Sequence, residues 1–90
     1  MLKIHWNDRF KNKYQKWIIK HSELENIFKQ RLELFSENPF NPILKTHCLS
    51  GILKGLWAWD INYKYRLVFK FVNGYKEAVF INIGTHDEVY

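Results

Sequence analysis

Apolar residues fall first at alternate positions, then at helical spacing, and finally at alternate positions again. The opening alternation of Leu2, Ile4 and Trp6 predicts a short strand from Leu2 to Trp6, with Asn7 or Asp8 capping the helix that follows. Phe10, Tyr14, Trp17 and Ile18 then form one inward stripe, leaving Lys11, Lys13, Lys16 and Lys20 to solvent. Ser22-Glu23-Leu24-Glu25 has the spacing of a capping box and predicts a second helix start, so the two helices form a hairpin. Leu24, Ile27, Phe28, Leu32 and Phe35 extend the stripe to Asn38-Pro39, where proline lacks the backbone donor that a helix requires.

Phe40 to Thr46 contains a second proline and reads as a connection, followed by a short strand around Leu44 to Leu49 and a loop at Ser50-Gly51. The period then becomes two: Leu56 to Ile61, Tyr65 to Val72 and Ala78 to Ile83 are strand-like, and Asn73-Gly74 signals the turn between the last two. The expected fold is therefore α+β, with an N-terminal strand and helical hairpin packed on one face of an antiparallel sheet of about four strands. Repeats, low-complexity tracts and linkers are absent, so residues 1–90 read as one domain.

Composition supports a packed interior. A chain of 90 residues buries only about 60% of its unfolded surface, but 18% of these residues are aromatic, and each aromatic removes roughly 150–250 Å² from water when buried. Cys48 is the only cysteine, which rules out an intrachain disulfide and points to a reducing, cytoplasmic setting. Neither a signal-peptide pattern nor an apolar run near the roughly 20 residues of a membrane span is present, so no membrane association is expected. The formal charge of +5 favours an anionic partner, either nucleic acid or an acidic protein.

The second half carries a recognisable set of motifs: Lys54-Gly55-Leu56-Trp57, then Tyr63-Lys64-Tyr65-Arg66-Leu67-Val68-Phe69, and finally Ile83-Gly84-Thr85-His86-Asp87-Glu88-Val89-Tyr90. These resemble toxins of the RelE/ParE superfamily across essentially the whole chain. Gly84-Thr85-His86 with an aromatic four residues on, and His47 before the glycine loop, resemble its YafQ-like branch in particular. The resemblance implies a RelE-like, microbial-ribonuclease-like fold and the toxin of a type II toxin–antitoxin system. It further implies an mRNA interferase that cuts messenger RNA in the ribosomal A site, and a cognate antitoxin that silences it.

Such cleavage requires a base for the attacking 2′-hydroxyl, an acid for the leaving oxygen and positive charge at the phosphate. His86, directly after the last strand, is the leading acid or base, against the plainer reading of a surface histidine. Arg66 alternates with Leu67, Phe69 and Phe71, so if those face the core, Arg66, Lys64 and Lys70 face the opposite side and meet solvent or RNA. The resemblance places a second catalytic histidine at His47, for which a structural loop role is the alternative. It also assigns base stacking or phosphate orientation to Tyr90, whose alternative is a frayed end.

Lys54 and Lys64 suit phosphate and ribosomal RNA contacts better than proton transfer, because an ordinary lysine is a poor base at neutral pH. Around Asp60 to Tyr65, where the YafQ-like branch carries further histidine and aspartate, this chain has Asp60, Tyr63 and Lys64, so the branch's division of labour does not transfer intact. Trp57, Trp59, Leu67, Phe69, Val79, Ile81 and Ile83 read as structural. His47, Cys48, His86 and Asp87 include metal-ligating types but lack paired ligand spacing, so neither a metal nor another cofactor is expected.

Two other functions share these features. A ParE-like inhibitor of DNA gyrase has the same fold with a protein target, and a non-enzymatic nucleic-acid-binding module needs only the charge. The expected partners are mRNA, the ribosome and an antitoxin whose acidic or amphipathic segment wraps the basic surface.

Overall fold

Asn7 ends the first strand and starts the first helix, its side-chain oxygen accepting the Phe10 N–H at 2.8 Å. In the computed structural model, which describes all 90 residues, the elements are β1 (Lys3–Trp6), α1 (Asp8–Lys20), α2 (Glu25–Glu37), β2 (His47–Cys48), β3 (Trp57–Asp60), β4 (Tyr65–Val72), β5 (Glu77–Thr85) and α3 (His86–Val89). The sheet order is β1-β5-β4-β3-β2. Strands β2 to β5 form the expected four-stranded antiparallel arrangement, and β1 joins β5 in parallel at one edge. No helix is long and apolar enough to cross a membrane.

Helices α1 and α2 cover one face. Phe10, Phe28, Phe35, Trp59, Phe69 and Phe80 are fully buried between them and the sheet. Phe35 is central: its ring stacks on Trp59 at 5.5 Å, meets Phe69 edge-on at 4.8 Å and lies 5.8 Å from Phe80. A bulge in β5 lets residues at odd spacing share this core, since Val68 pairs with Asn82 while Phe69 pairs with Phe80, leaving Ile81 as the extra residue. Phe80 and Ile83 therefore both point inward, and Ile81 joins a smaller cluster on the other face.

The sequence-based expectation of a capping box at Ser22–Glu25 is not met. Ser22–Leu24 form a 3₁₀ turn, no side chain caps α2, and Glu25 is already helical. The physical reason is the tight reversal between the helices: Glu25 reaches forward to Lys29 at 3.2 Å instead of back to Ser22. At the hairpin between β4 and β5, Asn73 and Gly74 both have left-handed backbones (φ 53° and 67°), within a loop that runs from Asn73 to Lys76.

Replacing Phe35 by alanine is expected to cost about 3–5 kcal/mol of unfolding free energy. Alanine at exposed Ile19 should change it by less than about 0.5 kcal/mol. Urea denaturation of both variants checks this, and equal losses would contradict the assignment of the core.

Candidate active site

Register decides which side chains meet. His47 pairs with Ala58, Asp60 with Arg66, and Arg66 with Gly84. Paired residues lie on one face and alternate residues share it. His47, Ala58, Asp60, Arg66, Val68 and Gly84 therefore line the face turned away from α1 and α2.

This face is not simply wet. Helix α3 leaves β5 and folds back over it, burying Val89 against Ala58 and Val68. Gly84 permits that approach: a Cβ there would lie 3.1 Å from both Cβ and Oε1 of Glu88 and 3.3 Å from Cγ1 of Val89. Thr85 starts the turn with a complete capping box, in which its hydroxyl accepts the Glu88 N–H at 3.3 Å and its own N–H donates to Oε1 of Glu88 at 2.8 Å. Thr85-His86-Asp87-Glu88 carries the same spacing as Ser22–Glu25, so the signal stood in the sequence unassigned.

Tyr90 is the meeting point of the cluster. Its N–H donates to the His86 carbonyl at 3.0 Å, and its ring meets the His86 imidazole edge-on at 4.4 Å. His47 donates Nδ1–H to the Lys45 carbonyl at 2.9 Å, which leaves Nε2 to accept the Tyr90 hydroxyl at 3.1 Å. Partial burial raises the pKa of Tyr90 above its ordinary value. Nearby Arg66 opposes this shift and Asp60 reinforces it. The phenol therefore stays neutral and able to donate across the physiological range.

Arg66 is tethered rather than free. Its Nε lies 2.8 Å from Oδ1 of Asp60, with the two side chains only 19% and 14% exposed. Its Nη1 donates to the carbonyls of Asn62 at 3.1 Å and Tyr65 at 3.3 Å. Nη2 enters no hydrogen bond with the protein, so this end of the fork is available to a ligand. Asp60, given no role from sequence, thus holds the guanidinium in place; the cross-strand register was the missing signal.

No protein-family model matches this sequence, and no curated protein sequence does. Solved structures do match. YafQ from E. coli strain BL21(DE3) superposes with TM-score 0.78 at 22% identity, over 100% of this chain and 99% of that one. The YoeB/ParE toxin from Agrobacterium tumefaciens gives 0.75 at 19%, over 94% and 99%. YafQ in the E. coli DinJ–YafQ toxin–antitoxin complex gives 0.76 at 22%, over 99% and 97%. The chain has the RelE/YafQ toxin fold.

Within this RelE/YafQ fold, three sequence-nominated lysines stand apart from the cluster. Lys64 was expected beside Arg66, but its ammonium lies 5.5 Å above the ring centroid of Tyr65, whose side chain belongs to the helix-side core. Lys70 shares the face of Arg66 but lies four residues along β4, about 13 Å away at the usual strand rise. Lys54 is exposed beside the Gly51–Leu53 turn. The other two histidines are engaged elsewhere: His5 Nε2 lies 2.6 Å from Oε1 of Glu77, and His21 Nε2 lies 3.3 Å from the Tyr65 hydroxyl.

His47, His86, Tyr90 and Arg66 thus place two imidazoles, a neutral phenol and half of a guanidinium fork on one sheet face. This set can accept a proton, donate one and bind an oxyanion. A cleft of about 410 Å³ runs from His47 and Tyr90 toward the Ser50–Leu53 loop.

Two outcomes test the role of α3. Gly84→Val should displace it, so NMR should show altered Val89 and Tyr90 signals while core signals such as Phe35 persist; unchanged α3 signals would refute the close-approach argument. The Glu88 carboxylate is held below its ordinary pKa, chiefly by the Thr85 N–H and then by the Thr85 hydroxyl. The cap it supports is therefore fully present above the ordinary carboxylate range and is lost as pH falls through the lowered value. The Thr85 amide shift should titrate with a midpoint below that of an ordinary glutamate, and Glu88→Ala should abolish that titration.

Proposed function

We propose that this chain is the toxin of a type II toxin–antitoxin system, belonging to the YafQ-like branch of the RelE/ParE superfamily. On this reading it is a cytoplasmic mRNA interferase that cleaves messenger RNA in the ribosomal A site. The observation that carries the reading is the contact of His47 and His86 with Tyr90, beside Arg66 on the same sheet face.

His47 is oriented to act as the base, because the Lys45 carbonyl fixes its tautomer and leaves Nε2 as the acceptor. It removes the proton from a ribose 2′-hydroxyl, whose oxygen then forms a bond to the adjacent phosphorus. The bond from phosphorus to the 5′-oxygen breaks, and His86 returns a proton to that leaving oxygen. Nη2 of Arg66 stabilises the charge on the phosphate oxygens. The products are a 2′,3′-cyclic phosphate and a 5′-hydroxyl, and no step calls on a metal. Lys54, Lys64 and Lys70 fall to phosphate contacts with mRNA or ribosomal RNA away from the scissile bond. The DinJ–YafQ complex supports a cognate antitoxin as protein partner.

Purified protein added to translating ribosomes should cut mRNA within the A-site codon and leave cyclic phosphate ends. His47→Ala and His86→Ala should each lower the cleavage rate roughly 10²–10⁴-fold with circular dichroism unchanged, and Arg66→Lys should fail to restore wild-type activity because it cannot reproduce the planar fork. Intact mRNA together with inhibited gyrase would replace this reading with a ParE-like one, and RNA binding without cleavage would reduce it to a binding module.

A further inference from the structure

Beyond His47 and Tyr90, the cleft beside the candidate active site is lined by residues to which catalysis gives no task. At one end stand His47 and Tyr90; beyond them Leu49, Ile52 and Leu53 form an apolar wall, with Ser50 and Cys48 at its polar margin. No acidic side chain lines it. Its volume of about 410 Å³ lies within the order of 300–1,000 Å³ usual for sites that hold small organic groups.

The wall is a built feature. Gly51 and Gly55, with φ of 65° and 96°, bracket the 3₁₀ turn Gly51–Leu53, and these backbone conformations are open chiefly to glycine. The turn holds Ile52 fully in water, while Leu49 and Leu53 beside it are half-buried. Strand β2 is the last in the sheet, so its outer edge has no neighbouring strand. The Ser50 hydroxyl caps no backbone group. An apolar surface edged by uncommitted polar groups matches a planar heterocycle, which offers a stacking face and a hydrogen-bonding rim.

We propose that this cleft is a base-binding subsite that receives the nucleobase on the 5′ side of the cut, the one borne by the ribose whose 2′-hydroxyl attacks. The assignment rests on the nuclease reading, because His47 is both the proposed base for that hydroxyl and the residue at which the cleft begins. Ile52 and Leu53 pack on the face of the heterocycle, and the Ser50 and Cys48 side reads its rim. The residues that choose where the RNA is cut are thus distinct from those that cut it.

The test pairs a cleavage readout with a binding readout. In translating ribosomes, Ile52→Ala should flatten the preference among codons roughly tenfold, while cyclic phosphate ends and antitoxin affinity stay as in wild type. Ile52 is fully exposed, so the variant should fold normally. In methyl NMR of the wild-type chain, a deoxy dinucleotide, which lacks the attacking hydroxyl, should shift Ile52 and Leu53; its 5′-abasic counterpart should not.

An unchanged cut-site distribution after Ile52→Ala, or no difference between the two dinucleotides, overturns the subsite and leaves the nuclease reading standing. Base-dependent shifts in a protein that cuts no RNA retain the subsite and remove the nuclease. Loss of antitoxin affinity with unaltered codon preference makes the wall a protein contact instead, which also overturns the proposal.

Discussion

The seat of α3 on β5 at Gly84 determines where the candidate catalytic groups stand. A helix of four residues has almost no stability of its own, because nucleation fixes several dihedrals for very few hydrogen bonds. It is held by the Thr85–Glu88 cap and by Val89 buried on Ala58 and Val68. Both sit over a residue with no side chain, where a Cβ would come within 3.1 Å of Glu88. His86 and Tyr90 ride on this turn, so a Cβ at Gly84 would require the turn that carries them to give by a few tenths of an ångström. Order in the candidate site comes from tertiary packing and not from local helix propensity.

Positive charge is organised on two scales. Helix α1 carries Arg9, Lys11, Lys13, Lys16 and Lys20 against one acid, Asp8, so five cations less one anion leave +4 on it, and Lys13, Lys16 and Lys20 share a groove with Gly84 and Glu88 at the seat of α3. Beside the site, the cation of Arg66 is compensated by Asp60. A shielded ion pair adds little net stability, because both charges lose solvation. Its value is geometric: it fixes the guanidinium and leaves Nη2 without a hydrogen-bond partner in the protein. Salt should screen the exposed α1 charges more than the sheltered pair.

Periodicity made the elements legible. The switch from alternating to helical spacing and back located β1, α1, α2 and β3 to β5, because burial on one face leaves that trace whatever the partner element is. Partner choice leaves no such trace. That β1 runs parallel to β5 follows from contacts across more than 70 residues, such as Trp6 against Phe80. Asp60 acquires a role only once β3 and β4 are in register. The two capping-box patterns show the same limit: Thr85 follows an extended strand and has room to cap, whereas Ser22 sits in a tight link between helices. His47, Arg66, His86 and Tyr90 could be named from sequence because a resemblance supplied them. Lys64 was misplaced because strand alternation ignores where a long side chain finds an aromatic face.

The His47–Tyr90 contact has a further consequence for a nuclease. With Nδ1–H given to Lys45, Nε2 of His47 already accepts a hydroxyl proton in the free protein, and that hydroxyl is a phenol kept neutral by partial burial. A ribose hydroxyl entering the site would make the same kind of hydrogen bond to the same lone pair. On the nuclease reading, Tyr90 would hold the position of the nucleophile before substrate arrives and keep the imidazole in the orientation that proton abstraction needs. Substrate binding must then exchange one hydroxyl for another, leaving the number of hydrogen bonds to His47 unchanged. Little reorganisation of the base is required at the moment of reaction, which is the form of preorganisation that favours the transition state.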